Sequence, residues 1–408
     1  MTDPGAVVVV GASAAGLSVA ETLRRDGFTG RVTVVGEEPG LPYDRPPLSK
    51  QILSGAWPAE RARLRDADAI DGLRLDLRLG TRAVGVDASK RVVTLADGAG
   101  VSYDDLVIAT GVLPRRLPDA VDVDGVYVLR TLADAQALRA ELSNRPRLVV
   151  VGAGFLGAEV AAVAREAGAD VTLVSDLAAP LADVLGAELA DLLLDVHREH
   201  GVRVETGVRV AEVLAEDGRA RGVRLADGRT LPADAVLVAI GSVPNVDWLA
   251  GSGIPVRDGV LCDVTCRAAP GVWAAGDVAS WPHPAFGERI RLEHRTNAAE
   301  QGIAVARNIL ATRAGTRASA FAPVPYIWSD QYDLTIQIYG RPRGGDQVCV
   351  VEGDPADRAL VALYGRDDVV RAAVGINMPR PLRAARALVA AAAPWDTAVA
   401  TTVRGVSA

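Results

Sequence analysis

The chain has 408 residues, of which 49% are hydrophobic and 23% charged; this excludes a disordered chain and suggests two or three domains at roughly 150 residues each. A formal net charge of −7 argues against a general nucleic-acid binder. Cys262, Cys266 and Cys349 are too few for a disulfide framework and point to a reducing, cytoplasmic setting.

The uncharged stretch 4–20 follows Met1-Thr2-Asp3-Pro4, which lacks the basic start of a signal peptide. It reads as the first strand and helix of a soluble domain, and no other stretch approaches a membrane span. Val7-Val8-Val9-Val10 is an apolar strand, Gly11-Ala12-Ser13-Ala14-Ala15-Gly16 a tight small-residue turn, and the run to Leu23 a helix. A second strand, 32–35, ends at Glu37. In Pro42-Tyr43-Asp44-Arg45-Pro46-Pro47-Leu48-Ser49-Lys50 two adjacent prolines stiffen the backbone. This is either a rigid loop delivering Arg45 and Lys50 to an anionic cofactor or an ordinary charged surface loop.

The opening pattern then repeats. Leu148-Val149-Val150-Val151 precedes Gly152-Ala153-Gly154-Phe155-Leu156-Gly157, a helix runs to about Ala167, and 171–174 is the next strand. The stretch Asp105 to Pro114, with Ala109-Thr110-Gly111, resembles Asp234 to Pro244, with Ala239-Ile240-Gly241. Two copies of one dinucleotide-binding unit imply two nucleotides. Later, Val272-Trp273-Ala274-Ala275-Gly276-Asp277 is a short buried strand ending in Gly-Asp. A helix is predicted over 297–312 with Thr296 or Asn297 as N-cap, a linker over 314–325, an antiparallel sheet from 334–339, 347–352, 360–365 and 369–376, and a last helix over 382–392.

A pyrophosphate needs backbone N–H groups and positive potential, which a helix N-terminus supplies. The first glycine of such a loop permits the turn, the second the approach to phosphate, the third the packing of helix on strand. Gly152, Gly154 and Gly157 match fully; Gly11 and Gly16 flank Ser13 at the middle position. An acid after the next strand holds the adenosine ribose: Glu37 in the first copy, Asp176, beside Ser175, in the second. No Arg or Lys occurs from 170 to 183, so NAD is expected over NADP. His197 and His200 read as surface residues and no metal is expected; Cys262 and Cys266 read as small buried hydrophobes on one face of a strand-like segment. No cysteine stands between 41 and 53.

Tyr43 to Lys50, the two glycine loops, Ala109-Thr110-Gly111, Ala275-Gly276-Asp277, and Leu292-Glu293-His294-Arg295-Thr296-Asn297-Ala298 followed by Trp328 together resemble the FAD-dependent, NADH-using ferredoxin reductases of bacterial cytochrome P450 and Rieske oxygenase systems. The resemblance runs over essentially the whole chain. It implies an α/β, glutathione-reductase-like fold: two Rossmann-type dinucleotide-binding domains plus a C-terminal α+β domain. FAD is expected on 1–113 with 242–320, NADH on 114–241, and the domain 321–408 is expected to cover the flavin and help dock the ferredoxin. The FAD residues it implies are Gly11, Ser13, Ala14, Ala15, Gly16 and Glu37; Arg45, Lys50, Ala83, Thr110, Gly111 and Arg130; and Gly276, Asp277, Glu293, His294, Arg295 and Trp328. Those for NADH are Gly152, Gly154, Phe155, Leu156, Gly157, Glu159, Ser175, Asp176 and Gly241. Two departures stand out: Ser175 occupies the place of the family's Glu, which leaves the ribose to Asp176, and Arg295 that of a frequent Trp.

The resemblance also implies a mechanism. The nicotinamide C4 hydride passes to flavin N5, with Lys50 at the N5 side, paired with Glu159 across the two domains. Charge on the reduced ring faces the helix starting near Thr296. Trp328 lies over or beside the flavin. The partner is an acidic [2Fe–2S] ferredoxin supplying a cytochrome P450 or a Rieske oxygenase, with no nucleic acid and no membrane involved. Candidate positive docking groups are Arg307, Arg313 and Arg317 near the linker and Arg380, Arg383 and Arg386 on the last helix, each of which also reads as part of a solvated arginine-rich face. Competing readings are an NADH oxidase or rubredoxin reductase, and a redox-responsive FAD- and NADH-binding interaction protein.

Overall fold

The computed structural model describes residues 5–405. The Met1-Thr2-Asp3-Pro4 start and the last three residues of the expected C-terminal domain lie outside them. The chain divides into two compact units: the first runs to Asp44 and resumes over Glu60–Leu113 and Ser242–Pro323, and the second comprises Arg45–Ala59, Pro114–Gly241 and Val324 onward.

The first unit is built on a six-stranded sheet in the order Arg267–Ala269, Val272–Ala274, Asp105–Ile108, Ala6–Val10, Arg31–Gly36, Asp76–Leu79. All neighbours are parallel except the first pair. The valine run 7–10 and the strand 105–108 are buried throughout, as parallel strands covered on both faces must be. Val10 pairs with both Val35 and Ile108, and Ala274 with Ile108, so these strands end side by side at one edge. Helix Ala14–Arg25 leaves that edge, and helix Arg295–Arg313 lies against it: a Cβ on Gly302 would stand 2.5 Å from the Ala15 carbonyl oxygen. The latter helix starts two residues before the expected 297, and its N-cap is His294, whose side chain makes no capping hydrogen bond. Buried Asp105 accepts hydrogen bonds from Trp273 Nε1 at 3.1 Å and Arg313 Nε at 2.7 Å. The 314–325 linker carries Phe321, which packs on Trp281 in this unit's core.

The second unit contains a fully parallel five-stranded sheet, ordered Arg203–Glu205, Asp170–Val174, Arg147–Val151, Ala235–Val238, Val126–Tyr127. A five-stranded antiparallel sheet follows, ordered Tyr326–Gln331, Leu334–Gly340, Val369–Ile376, Ala359–Arg366, Gln347–Asp354. Leu334, Ile336 and Ile338 alternate into a core with Leu189, Leu193 and Val196 of helix Ala187–Glu199. The opposite face is covered by helix Pro379–Ala390 through Leu382, Ala385 and Val389.

Strand Tyr326–Gln331 and helix Trp395–Gly405 are absent from the periodicity reading. Ser329, Asp330 and Gln331 break the apolar alternation, and only the hairpin pairing of Gln331 with Leu334 makes the segment a strand. Trp395 anchors the last helix by laying its ring over Gly365, where a Cβ would be 2.4 Å away. Among the described residues no helix is long and apolar enough to cross a membrane.

Candidate functional site

Each parallel sheet has a point where chain order reverses. In the first unit Ala6–Val10 is followed by Arg31–Gly36 on one side and flanked by Asp105–Ile108 on the other; in the second, Arg147–Val151 lies between Asp170–Val174 and Ala235–Val238. Ligands of open α/β sheets bind at such points, beyond the carboxyl ends of the strands. Both glycine loops sit there. Gly11 has φ +121° and a Cβ would meet the Ala109 carbonyl oxygen at 2.1 Å; Gly152 has φ +108° and would meet that of Ala239 at 2.3 Å. At Gly16 and Gly157 a Cβ would stand 1.9 Å from the carbonyl oxygens of Gly11 and Gly152. The first and third glycines are thus demanded by the fold itself.

The middle position is different. Gly154 is the N-cap of helix Phe155–Glu166, and a Cβ there meets nothing within 4 Å. Space is kept where no part of the protein needs it, which is the room a phosphate approaching the backbone requires. Ser13, the N-cap of Ala14–Arg25, makes no capping hydrogen bond, and neither helix carries an acid in its first turn. The first-turn N–H groups of both helices therefore face the loop without a side-chain partner from the cap. Two pyrophosphates fit these two cradles.

The strand ends follow the same plan. Glu37 and Asp176 are exposed, just after Arg31–Gly36 and Asp170–Val174. Ser175 is buried, and its hydroxyl accepts the Leu177 N–H at 3.2 Å; it shapes the turn and leaves the open carboxylate to Asp176. Thr110 donates to the Asn245 carbonyl at 2.7 Å, Ala83 is buried in the first unit's core, and Gly111 and Gly241 have φ of +67° and +90°. Gly276 donates its N–H to Gln301 Oε1 at 2.9 Å. In the first turn of helix Arg295–Arg313, Asn297 is buried with its Oδ1 unpartnered among the described residues, an acceptor available to a donor from a bound group. Glu293 is engaged by Ser242 Oγ at 2.6 Å and Arg291 Nη1 at 2.7 Å. Arg295 forms an ion pair with Asp44.

The proline loop folds into a short 3₁₀ turn, Pro46–Ser49, followed by helix Gln51–Ser54, with Lys50 between them. Lys50 is buried, its Nζ 2.7 Å from Glu159 Oε2 and 3.3 Å from the Pro46 carbonyl. Glu159, in the second turn of the glycine-loop helix, also accepts from Ser49 Oγ at 2.5 Å and from Ser329 Oγ at 2.8 Å. A buried ion pair loses hydration and is tolerated only when such hydrogen bonds complete it. Both residues fall in the same compact unit, which takes in the segment Arg45–Ala59. Arg45 hydrogen-bonds the Arg130 carbonyl. Trp328 is half-buried, stacked on Tyr326 with ring centroids 5.9 Å apart. Strand alternation places it on the face opposite Ser329.

Other expectations need correction. His197 is buried, bonded to Gln331 Oε1 at 3.1 Å and Tyr332 OH at 3.2 Å, and burial pushes its pKa down to about 4; only His200 is exposed. Cys262 and Cys266 are buried as expected, but Cys266 sits in a turn with φ +67° rather than on a strand. Of the docking candidates, Arg307 pairs with Asp26 at 3.3 Å and Arg313 with Asp105 at 2.7 Å. Ser49 and Ser329 bond Glu159 directly, and Gln331 and His197 lie behind Ser329; the last three carry no sequence signal of their own.

Comparison with known proteins matches residues 5–302 to the family described as pyridine nucleotide-disulphide oxidoreductase and residues 326–403 to a reductase C-terminal domain. Rhodocoxin reductase of Rhodococcus erythropolis is 37% identical over 95% of this chain and 90% of its own. The ferredoxin–NAD(+) reductase component of the p-cumate 2,3-dioxygenase system of Pseudomonas putida is 39% identical over 94% of this chain and 93% of its own. Among solved structures, the covalent putidaredoxin reductase–putidaredoxin complex aligns over 100% of both chains with a TM-score of 0.90 at 31% identity.

Proposed function

The chain belongs to the pyridine nucleotide-disulphide oxidoreductase family, and from that premise we propose that it is an FAD-dependent reductase passing electrons from NADH to a [2Fe–2S] ferredoxin that supplies a cytochrome P450 or Rieske oxygenase. FAD, when bound, takes the electron pair of a reduced nicotinamide and releases it one electron at a time. The chain's part is to hold the cofactors and set charges near them. The loop Gly11–Gly16 and Glu37 hold the FAD pyrophosphate and ribose, and Gly152–Gly157 and Asp176 hold those of NADH. Lys50, held by Glu159, is the cation this reading assigns to hydride transfer. The N-terminus of helix Arg295–Arg313, free of first-turn acids, favours negative charge.

The partner surface is read on helix Pro379–Ala390. Arg380, Arg383 and Arg386 are exposed and spaced i, i+3, i+6 along one stripe, and none of the three forms a side-chain ion pair among the described residues. Such a stripe suits an acidic ferredoxin, and at 0.15 M salt its attraction acts over about 8 Å. Three free cysteines among the described residues suit a reducing cytoplasm.

The observation that carries this reading is the pair of glycine-loop helix ends, each left without a capping side chain at a switch point. NADH-driven cytochrome c reduction, with and without a [2Fe–2S] ferredoxin and repeated with NADPH, tests it. Stimulation by ferredoxin and preference for NADH are expected; rapid oxygen consumption without any carrier would favour an oxidase instead. Lys50→Met should slow flavin reduction by NADH in stopped flow, and an unchanged rate would remove Lys50 from the mechanism.

A further inference from the structure

Glu159 is the end of a buried hydrogen-bond chain within the second unit. Ser329 donates to Glu159 Oε1 at 2.8 Å, Gln331 Nε2 donates to Ser329 Oγ at 3.2 Å, His197 Nε2 meets Gln331 Oε1 at 3.1 Å, and Tyr332 OH meets His197 Nδ1 at 3.2 Å. Glu159, Ser329, Gln331 and His197 are each at least nine-tenths buried.

The direction of the chain is dictated by its ends. A carboxylate accepts, so the Ser329 hydroxyl donates to it and must itself accept from the Gln331 amide. That leaves the Gln331 carbonyl to accept from His197 Nε2–H, and the bare Nδ1 to accept from the Tyr332 phenol. Burial supports this order at the far end, keeping His197 neutral and holding the Tyr332 phenol above its usual range. Tyr332 occupies the corner of the hairpin between Tyr326–Gln331 and Leu334–Gly340 with φ +55°, a left-handed conformation that a bulky side chain seldom adopts. Its ring is stacked on His200 at 3.7 Å. The strained corner places the phenol where the chain needs its last donor.

We propose that Ser329, Gln331 and His197 are positioning residues for the reaction: in series, they fix the rotamer of Glu159 and through it the place of the Lys50 ammonium. A core that needed only stability would do as well with apolar residues here, because a chain of buried polar groups brings no net gain over good packing. The inference rests on the reading of Lys50 and Glu159 as groups at the site of electron transfer, and it assigns residues on the C-terminal sheet and on helix Ala187–Glu199 to that site.

The test uses the holoenzyme and compares Ser329→Ala, Gln331→Leu, their double variant, Ser329→Thr and Lys50→Met. Ser329→Ala should lower the limiting rate of flavin reduction by NADH about tenfold, the effect of losing one hydrogen bond to a charged group, with NADH affinity unchanged. Gln331→Leu should do so by less. Because the links act in series, the double variant should match Ser329→Ala alone, and Ser329→Thr, which keeps the hydroxyl, should restore the rate. Independently of turnover, the infrared carboxylate bands lost in Glu159→Gln should shift in both single variants, with or without flavin bound. Additive effects in the double variant, or unshifted bands with unchanged rates, overturn the inference. If Lys50→Met leaves the rate unchanged, the reading of the site itself fails; if it slows the reaction while Ser329→Ala does not, only this inference does.

Discussion

Two helix N-termini in the second unit solve the same problem in opposite ways. Helix Leu132–Leu142 closes its own end: Thr131 Oγ1 accepts the Asp134 N–H at 3.1 Å, and the Asp134 carboxylate accepts the Thr131 N–H at 2.8 Å, a capping box. Helix Phe155–Glu166 begins at Gly154 with no side-chain cap and no acid in its first turn. An end closed by its own side chains has no donors left over, whereas one left open at a switch point has N–H groups to offer an anion. Helix Ala14–Arg25 is of the open kind, with Ser13 at its cap and the hydroxyl turned to no helix N–H.

Substitution at five places breaks or sharpens this contrast. The largest effect is expected from Gly157→Ala, whose Cβ would stand 1.9 Å from the Gly152 carbonyl oxygen. It should cost about 3 kcal/mol, seen as a fall in melting temperature on the order of 10 °C. If Asp176 holds the ribose as proposed, Asp176→Ala removes a charged hydrogen-bond partner and should weaken NADH binding by about 2 kcal/mol, measured by titration. Ser175→Ala, which loses only the turn contact to Leu177, should leave that affinity nearly unchanged. Gly154→Ala meets no protein atom within 4 Å, so its melting temperature should hold while the dissociation constant for NADH rises about tenfold. If instead Gly154→Ala melted early and bound normally, the open space would belong to the fold and the comparison would fail. Thr131→Ala should cost about 1 kcal/mol of stability by thermal melting, with no change in NADH affinity.

The parts of the molecule that repeat were legible in the sequence because each is a local rule. A valine run, a glycine spaced for a turn and an acid one strand later occupy the same positions in both copies, and the parallel registers Val10 with Val35 and Val151 with Val174 follow from them. The helix over 295–313 is expected two residues late, since its cap, His294, makes no side-chain capping bond and so gives no capping signal. Strand Tyr326–Gln331 was invisible because its inward residues are Ser329 and Gln331, polar groups buried for their hydrogen bonds. His197 was misread as a surface residue for a related reason. Helix periodicity says which residues share a face, while only the packed sheet says that this face meets Gln331 and Tyr332.

The sequence by itself determined that two nucleotide cradles exist, where their glycines lie and which acids end their strands, because those features depend on residues a few positions apart and on backbone conformations few side chains allow. Only the tertiary structure decided that the Lys50–Glu159 pair is buried and completed by Ser49 and Ser329, and that Gln331 and His197 stand behind it. Those are meetings between residues distant in the chain, and they are set by the packing of sheets and helices.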